Sequence, residues 1–317
     1  MKMRVLILGA GGFVGRRIVL SFKDSGWAEP VAAIRGARAD SGVETVTCHA
    51  TYAESLARAC AGVDAVVNGV AGSPQAMIAT ARALQAVQAS RSAPLHIVHF
   101  SSMAVYGDAL GDVTENHPLA QLAPASYGGA KLAAEAALAE TDRVCILRPG
   151  CIYGRGSPQW SVRIARLLAA RRLGDLGPYG DGCSNLVHVD DVVAAVGSAL
   201  RQGHEGCFNL AMPNAPTWNT YFMRLARAMG AVPVRRIPAW QLAVERKLLA
   251  PPLKIWEIAH ARLKLPSGPP VMSPALMYLW QQDIRLRSER ATNALALAWT
   301  PLQEGLADSW RENAWKR

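Results

Sequence analysis

The chain has 317 residues, half of them apolar and 18% charged, with a formal net charge of +10. That length accommodates one large α/β domain plus a smaller one with a substantial core, and the composition excludes a disordered chain. No apolar run reaches the ~18 residues of a membrane span, and the first one, from Met3, is cut by glycines too early for a secretory signal, so a cytoplasmic protein is expected. The basic residues are dispersed and not interleaved with aromatics, which argues against nucleic acid and suits a phosphate-bearing cofactor. The six cysteines, at positions 48, 60, 145, 151, 183 and 207, include no Cys-x-x-Cys and no adjacent histidine pair. Free buried thiols are therefore expected, and no metal site.

Met3–Leu8 is a continuous apolar run, suited to a buried parallel strand. It leads into Gly9, Gly11, Gly12, Phe13, Val14 and Gly15, with glycines 9, 12 and 15 at three-residue spacing, and then into a helical pattern through Ile18 and Phe22. Strand, glycine turn and helix in that order bring backbone N–H groups and a helix N-terminus to a pyrophosphate, so this turn is expected to bind a dinucleotide. A second strand, Pro30 to Ile34, ends at Arg35, with Arg38 close by and no acid between Val31 and Ala39. A carboxylate there would select NAD through the ribose 2′-OH, whereas arginine accommodates a 2′-phosphate, so NADP is expected over NAD.

The alternation continues with a strand over Val43–Thr47, a helix over Ala53–Ala61, a strand over Asp64–Asn68, a helix over Pro74–Ala89 and a strand over Leu95–Phe100. A helix carrying Tyr127 and a strand over Val144–Leu147 complete it. This rhythm implies a doubly wound parallel sheet, with ligands at the carboxyl ends of the strands, where Gly9, Asn68 and Ser102 fall.

The stretch from Phe100 to Lys131 carries the chemistry. Tyr127 and Lys131 are four residues apart, so they share one face of a helix. A phenol with a pKa of ~10 exchanges a proton near neutral pH only when a cation favours its ionised form, and Lys131 can be that cation. A hydroxyl such as that of Ser102 would fix the substrate oxygen beside the phenol.

Beyond Pro149 the rhythm loosens. A basic amphipathic helix is expected over Ser161–Ala170, a glycine-rich loop over Gly174–Gly182, and a helix after His188 with Asp190 or Asp191 as N-cap. Phe208–Leu210 reads as a last sheet strand. From Trp218 onward the pattern is helical, interrupted by Pro251, Pro252, Pro266, Pro269 and Pro270. Its stripe of Trp240, Trp256, Met277, Tyr278 and Trp280 reads as core or dimer contact, which leaves a homodimer open. The domain division expected is 1–153 with a return segment at about 186–213, against 154–185 and 214–317 as a smaller, mainly helical substrate domain.

With these residues in hand, the chain resembles the extended short-chain dehydrogenase/reductase family, particularly its nucleotide-sugar epimerase/dehydratase branch. The resemblance runs from Arg4 to about Val196, with an echo at Trp299, Pro301, Glu304 and Gly305. It is carried by the Gly9–Gly15 turn, Ser101 to Gly107, Tyr127 with Lys131, Arg148-Pro149 with Tyr153-Gly154, and His188 to Asp191. It implies a Rossmann fold, Ser102 and Tyr127 as the catalytic pair, and Lys131 also holding the nicotinamide ribose. There are four departures from the family. His49 stands where an Asp contacts adenine, Ala76 where an Asn supports the lysine through water, and Cys151 where an Asn contacts a sugar-nucleotide diphosphate. Met103 and Ala104 follow Ser102, so the dehydratases' Thr-Asp-Glu triplet is missing.

Three readings are in play. The first is an NADP-dependent oxidoreductase acting on a ketone or secondary alcohol. The second is a nucleotide-sugar epimerase with tightly held NAD(P), and the third a non-catalytic dinucleotide-binding protein, against which the intact Ser102, Tyr127 and Lys131 argue.

Overall fold

The first apolar run, Met3–Leu8, forms strand β1, and Val5 through Leu8 are wholly buried, as a strand covered on both faces requires. The computed structural model describes residues 1–36, 42–245, 270 and 272–309. Arg38, Trp256, Pro251, Pro252, Pro266 and Pro269 lie outside the described residues. Among the described residues no helix is long and apolar enough to cross a membrane. The chain divides into two compact units: Met1–Gly150, Val189–Pro213 and Leu286–Trp299 form the first, and Cys151–His188, Asn214–Arg285 and Thr300–Arg317 the second.

In the first unit, β1 is followed by α1 (Phe13–Lys23), β2 (Ala28–Ile34), β3 (Glu44–Thr47), α2 (Ala53–Ala59), β4 (Ala65–Asn68), α3 (Pro74–Ala89) and β5 (His96–Phe100). Then come a 3₁₀ turn over Met103–Tyr106, β6 (Gly111–Val113), α4 (Tyr127–Leu138) and β7 (Val144–Pro149). Seven strands form the sheet in the order β3-β2-β1-β4-β5-β7-β10, where β10 is Gly206–Leu210, and every neighbouring pair is parallel. The doubly wound parallel sheet expected from the sequence is therefore present. The order reverses between β1 and β4, the place where such sheets take ligands.

Local chemistry sets the helix starts. Ser73 caps α3 by accepting from the Ala76 amide at 3.2 Å, and Pro74 occupies the first helical position. One sheet face packs Leu6, Leu8, Val66, Ile97 and Ile146 against Leu56 of α2, Leu84 of α3 and Leu138 of α4. α1 packs against α6 (Val189–Gln202), a helix of the same unit. Asp190 and Asp191 lie inside the first turn of α6 and not at its N-cap, because Val189 is already helical. Their carboxylates there still favour the positive end of the helix dipole.

In the second unit, β8 (Cys151–Tyr153) pairs in parallel with β9 (Leu186–His188), two strands of three residues each. The helix expected over Ser161–Ala170 opens with a wide turn at Pro158–Val162 and continues as α5 (Arg163–Ala169). α5 packs on α7 (Trp218–Ala228), whose Trp218 and Phe222 rings cluster with Trp280. The apolar stripe divides, with Trp280 and Met277 buried and Trp240 and Tyr278 exposed. A short strand, Ile284–Leu286, breaks the helical C-terminal pattern. All six cysteines are free thiols, four of them buried.

Candidate active site

The glycine turn closes on itself. Gly12 N donates to Gly9 O at 2.8 Å, and Arg16 N returns to Gly12 O at 3.0 Å as the first helical bond. Gly9 takes φ +82°, and a Cβ there would lie 2.6 Å from Gly69 O, on the turn after β4. A Cβ on Gly15 would lie 2.2 Å from Gly9 O. Only glycine fits either position, so the turns at the ends of β1 and β4 meet at backbone distance. α1 begins without a side-chain cap, and Gly11 and Gly12 are exposed. The Phe13, Val14 and Gly15 amides fall among the N–H groups that a helix cannot satisfy internally. The turn thus fits a pyrophosphate: it offers amide donors, a positive helix end and no side chain in the way.

Arg35 is exposed immediately past the carboxyl end of β2, beside the β1 turn in the sheet order. Asn68 ends β4 and is buried. Its carbonyl accepts from Val70 N at 3.2 Å, which shapes the turn facing Gly9, and its amide nitrogen lies 3.0 Å from His99 Nδ1.

Ser102 follows β5 and opens the 3₁₀ turn, its hydroxyl accepting from Ala104 N at 3.2 Å. Tyr127 begins α4, which Ser126 caps by accepting from Gly129 N at 3.0 Å. A Cβ on Gly128 would lie 2.6 Å from Ala104 O, so the start of α4 sits hard against the turn that Ser102 opens. Ser102, Tyr127 and Lys131 are thus brought to one corner at the carboxyl end of β5.

Tyr127 is half exposed, at 52%, while Lys131 is buried, with its ammonium 5.9 Å from the Tyr127 ring centre. Lys131 Nζ donates to Phe100 O at 2.6 Å. Burial pushes the Lys131 ammonium down to about 8, opposed by the negative charge of Glu135 one turn further along α4.

Sequence reasoning missed the buried polar network beneath this corner. Ser101 donates to Glu135. Arg148 grips Glu135 with two bonds, Nε–Oε1 at 3.0 Å and Nη2–Oε2 at 2.6 Å. Arg148 Nη1 also donates to Tyr106 OH at 2.9 Å, and that hydroxyl donates to Asn209 Oδ1 at 2.8 Å. Such a network is stable only when every member is satisfied. The one signal for it was Arg148 within the Arg148-Pro149 pair, since its partners lie just past β5, on α4, on β10 and on the 3₁₀ turn.

A model of the NAD dependent epimerase/dehydratase family matches residues 5–211. The chain belongs to that family. With the sheet order and glycine turn above, this makes it an NAD(P)-dependent enzyme of the extended short-chain dehydrogenase/reductase type. A protein from Streptomyces sp, a 3-diazoavenalumate denitrifying reductase, is 27% identical over 281 residues, covering 81% of this chain and 89% of that protein. Among solved structures, human epimerase family protein SDR39U1 with NADPH aligns at TM-score 0.71 and 19% identity, over 98% of this chain and 99% of that one. The UDP-N-acetylglucosamine 4-epimerase of Bacillus cereus aligns at TM-score 0.68 and 18% identity, over 97% and 98% of the two chains. At these identities the two structures speak for the fold of this family member.

Proposed function

We propose that this family member is an NADP-dependent oxidoreductase that interconverts a ketone and a secondary alcohol. The carrying observation is the buried Lys131 ammonium one helical turn from Tyr127, on a helix held against the turn opened by Ser102. The Gly9–Gly15 turn would hold the pyrophosphate of a nicotinamide dinucleotide, which when bound would supply or take the hydride. Ser102 holds the substrate oxygen by a hydrogen bond. Tyr127 gives that oxygen its proton in reduction and removes it in oxidation, and the Lys131 charge favours the phenolate form.

Arg35 supports NADP over NAD, because an exposed guanidinium past β2 favours a 2′-phosphate and no acid stands between Val31 and Ala39 to receive the 2′-OH. The reductase from Streptomyces sp, similar along most of its length, supports net reduction.

A second reading, a nucleotide-sugar epimerase, draws on the structural likeness to the Bacillus cereus epimerase. Cys151, which stands where the resemblance implies a diphosphate-contacting asparagine in sugar-nucleotide enzymes, weighs against it, as does Ala76 in place of the family's lysine-supporting asparagine. Supplying candidate ketones and nucleotide sugars while following NADPH absorbance separates the two. One NADPH consumed per substrate reduced supports the oxidoreductase, and inversion of a nucleotide sugar without net NADPH change overturns it.

A further inference from the structure

We propose that the second unit holds a binding site for one uncharged, phenol-like aromatic ring, in a cavity of about 140 Å³ walled by Trp280, Met277 and the helix Ala239–Val244. The proposal goes beyond the oxidoreductase reading and uses none of its residues.

The space begins in the sequence. Ala239, Leu242 and Ala243 stand at i, i+3 and i+4 of their helix, so they share the face that lines the cavity. Two of the three are alanines, which leave room that longer side chains would take. Met277 comes from the helix Pro274–Leu279, and Trp280 follows that helix directly. Leu176 and Tyr179 come from the loop that contains the short turn Gly177–Gly180.

These walls are held in place by bonds that do not involve the cavity. Asn219 of α7 accepts from Leu176 N at 2.8 Å and donates to Gly177 O at 2.7 Å and to Asp181 Oδ1 at 2.8 Å. A Cβ on Gly180 would lie 2.3 Å from Asn219 Oδ1, so the loop and the amide fit without slack. The Trp280 ring is set against Phe222 and Trp218, at 5.1 and 6.4 Å between ring centres. A site built this way is largely formed before its ligand arrives.

Size and lining then select the ligand. Protein interiors leave few voids larger than a water molecule, and an apolar cavity of ~150 Å³ takes a benzene-sized guest. No lining residue is charged, so a phosphate or carboxylate would lose its hydration with no partner to replace it. Indole and phenol rings and a thioether favour an aromatic guest over an aliphatic one. The polar groups suit a hydroxyl on that ring. Gln281, exposed, donates from Nε2 to Met277 O at 2.9 Å, which leaves its Oε1 to accept. The Trp280 indole N–H is buried with no hydrogen-bond partner among the described residues, a donor that ordinarily finds an acceptor.

The experiment uses the full chain with ¹³C-labelled methionine methyl groups, the Met277 signal being assigned through Met277→Leu. Phenol should shift that signal saturably, with a Kd of ~1 mM or tighter, a scale open to a one-ring ligand. Cyclohexanol, benzoate and uridine monophosphate should each bind there at least ~10-fold more weakly. Ala243→Phe puts a ring of the protein's own into the space from an exposed position, and should weaken phenol by ~10-fold or more. An unmoved Met277 methyl, a comparison probe that binds as tightly as phenol, or an unchanged phenol affinity in Ala243→Phe overturns the proposal. The titrations of the unmutated protein decide it even where the variant does not fold. Because the readout needs neither nicotinamide nor turnover, its failure is distinct from failure of the oxidoreductase reading.

Discussion

Lys131 Nζ donates to the main-chain carbonyl of Phe100 at 2.6 Å, so the ammonium on α4 is tied to the end of β5, two residues before Ser102. The tie fixes the cation, and burial sets its strength. With the ammonium held at about 8 against an ordinary 10.5, activity that needs the charged form should fall as pH rises through about 8. Stability should move the other way. Between about 8 and 10.5 the unfolded chain binds the proton that the folded chain has released, so stability rises with pH across that window. A kcat–pH profile and denaturant titrations at several pH values read the two effects. Lys131→Met should abolish the pH-dependent gain in stability.

Tyr127 is half exposed at the head of α4, and its replacement by Phe removes only the hydroxyl. Tyr127→Phe should keep nicotinamide affinity and lower turnover by ~100-fold or more, the scale of losing a general acid. Steady-state kinetics beside a fluorescence titration of the cofactor separates the two quantities. Turnover at the original rate would assign the proton transfer to another group.

Arg35 stands past the end of β2, where the 2′ position of an adenosine ribose is read in this fold. NADPH should bind at least ten-fold tighter than NADH, about 1.4 kcal/mol. Arg35→Asp should shrink or reverse the preference. Equal affinities in the unmutated protein, by the same titration, would remove NADP from the proposal.

Much of the framework was legible before the structure. β1 and α3 begin and end where the apolar run and the Ser73-Pro74 start signal put them, because those signals are local. The glycine turn was legible for the same reason. The strands β6, β8 and β9 were not, since three residues carry too little alternation to be told from a loop. Nor were the partners of Lys131 and Glu135. Ser101 and Glu135 are 34 positions apart, and Tyr106 and Asn209 are 103 apart, so only the sheet order brings them together. Local pattern located the candidate groups, and tertiary pairing determined their surroundings.

The Arg148–Glu135 pair, 4% and 7% exposed at the side chains, shows what such pairing costs to break. Arg148→Met leaves the Glu135 carboxylate buried with its main partner gone, and should destabilise the fold by about 3–5 kcal/mol. Adding Glu135→Gln should recover part of that loss, because the stranded charge is removed. Denaturant unfolding of the two variants reads the difference, and equal losses would mean that the pair acts through packing alone.

In the proposed reaction, hydride moves from NADPH to a substrate carbonyl carbon and stays there. The most direct measurement uses NADPH deuterated at the nicotinamide C4, with mass spectrometry and NMR of the product. One deuterium on the carbinol carbon for each NADP⁺ formed is the expected result. An inverted product that carries no deuterium, with the NADPH pool unchanged, would contradict it.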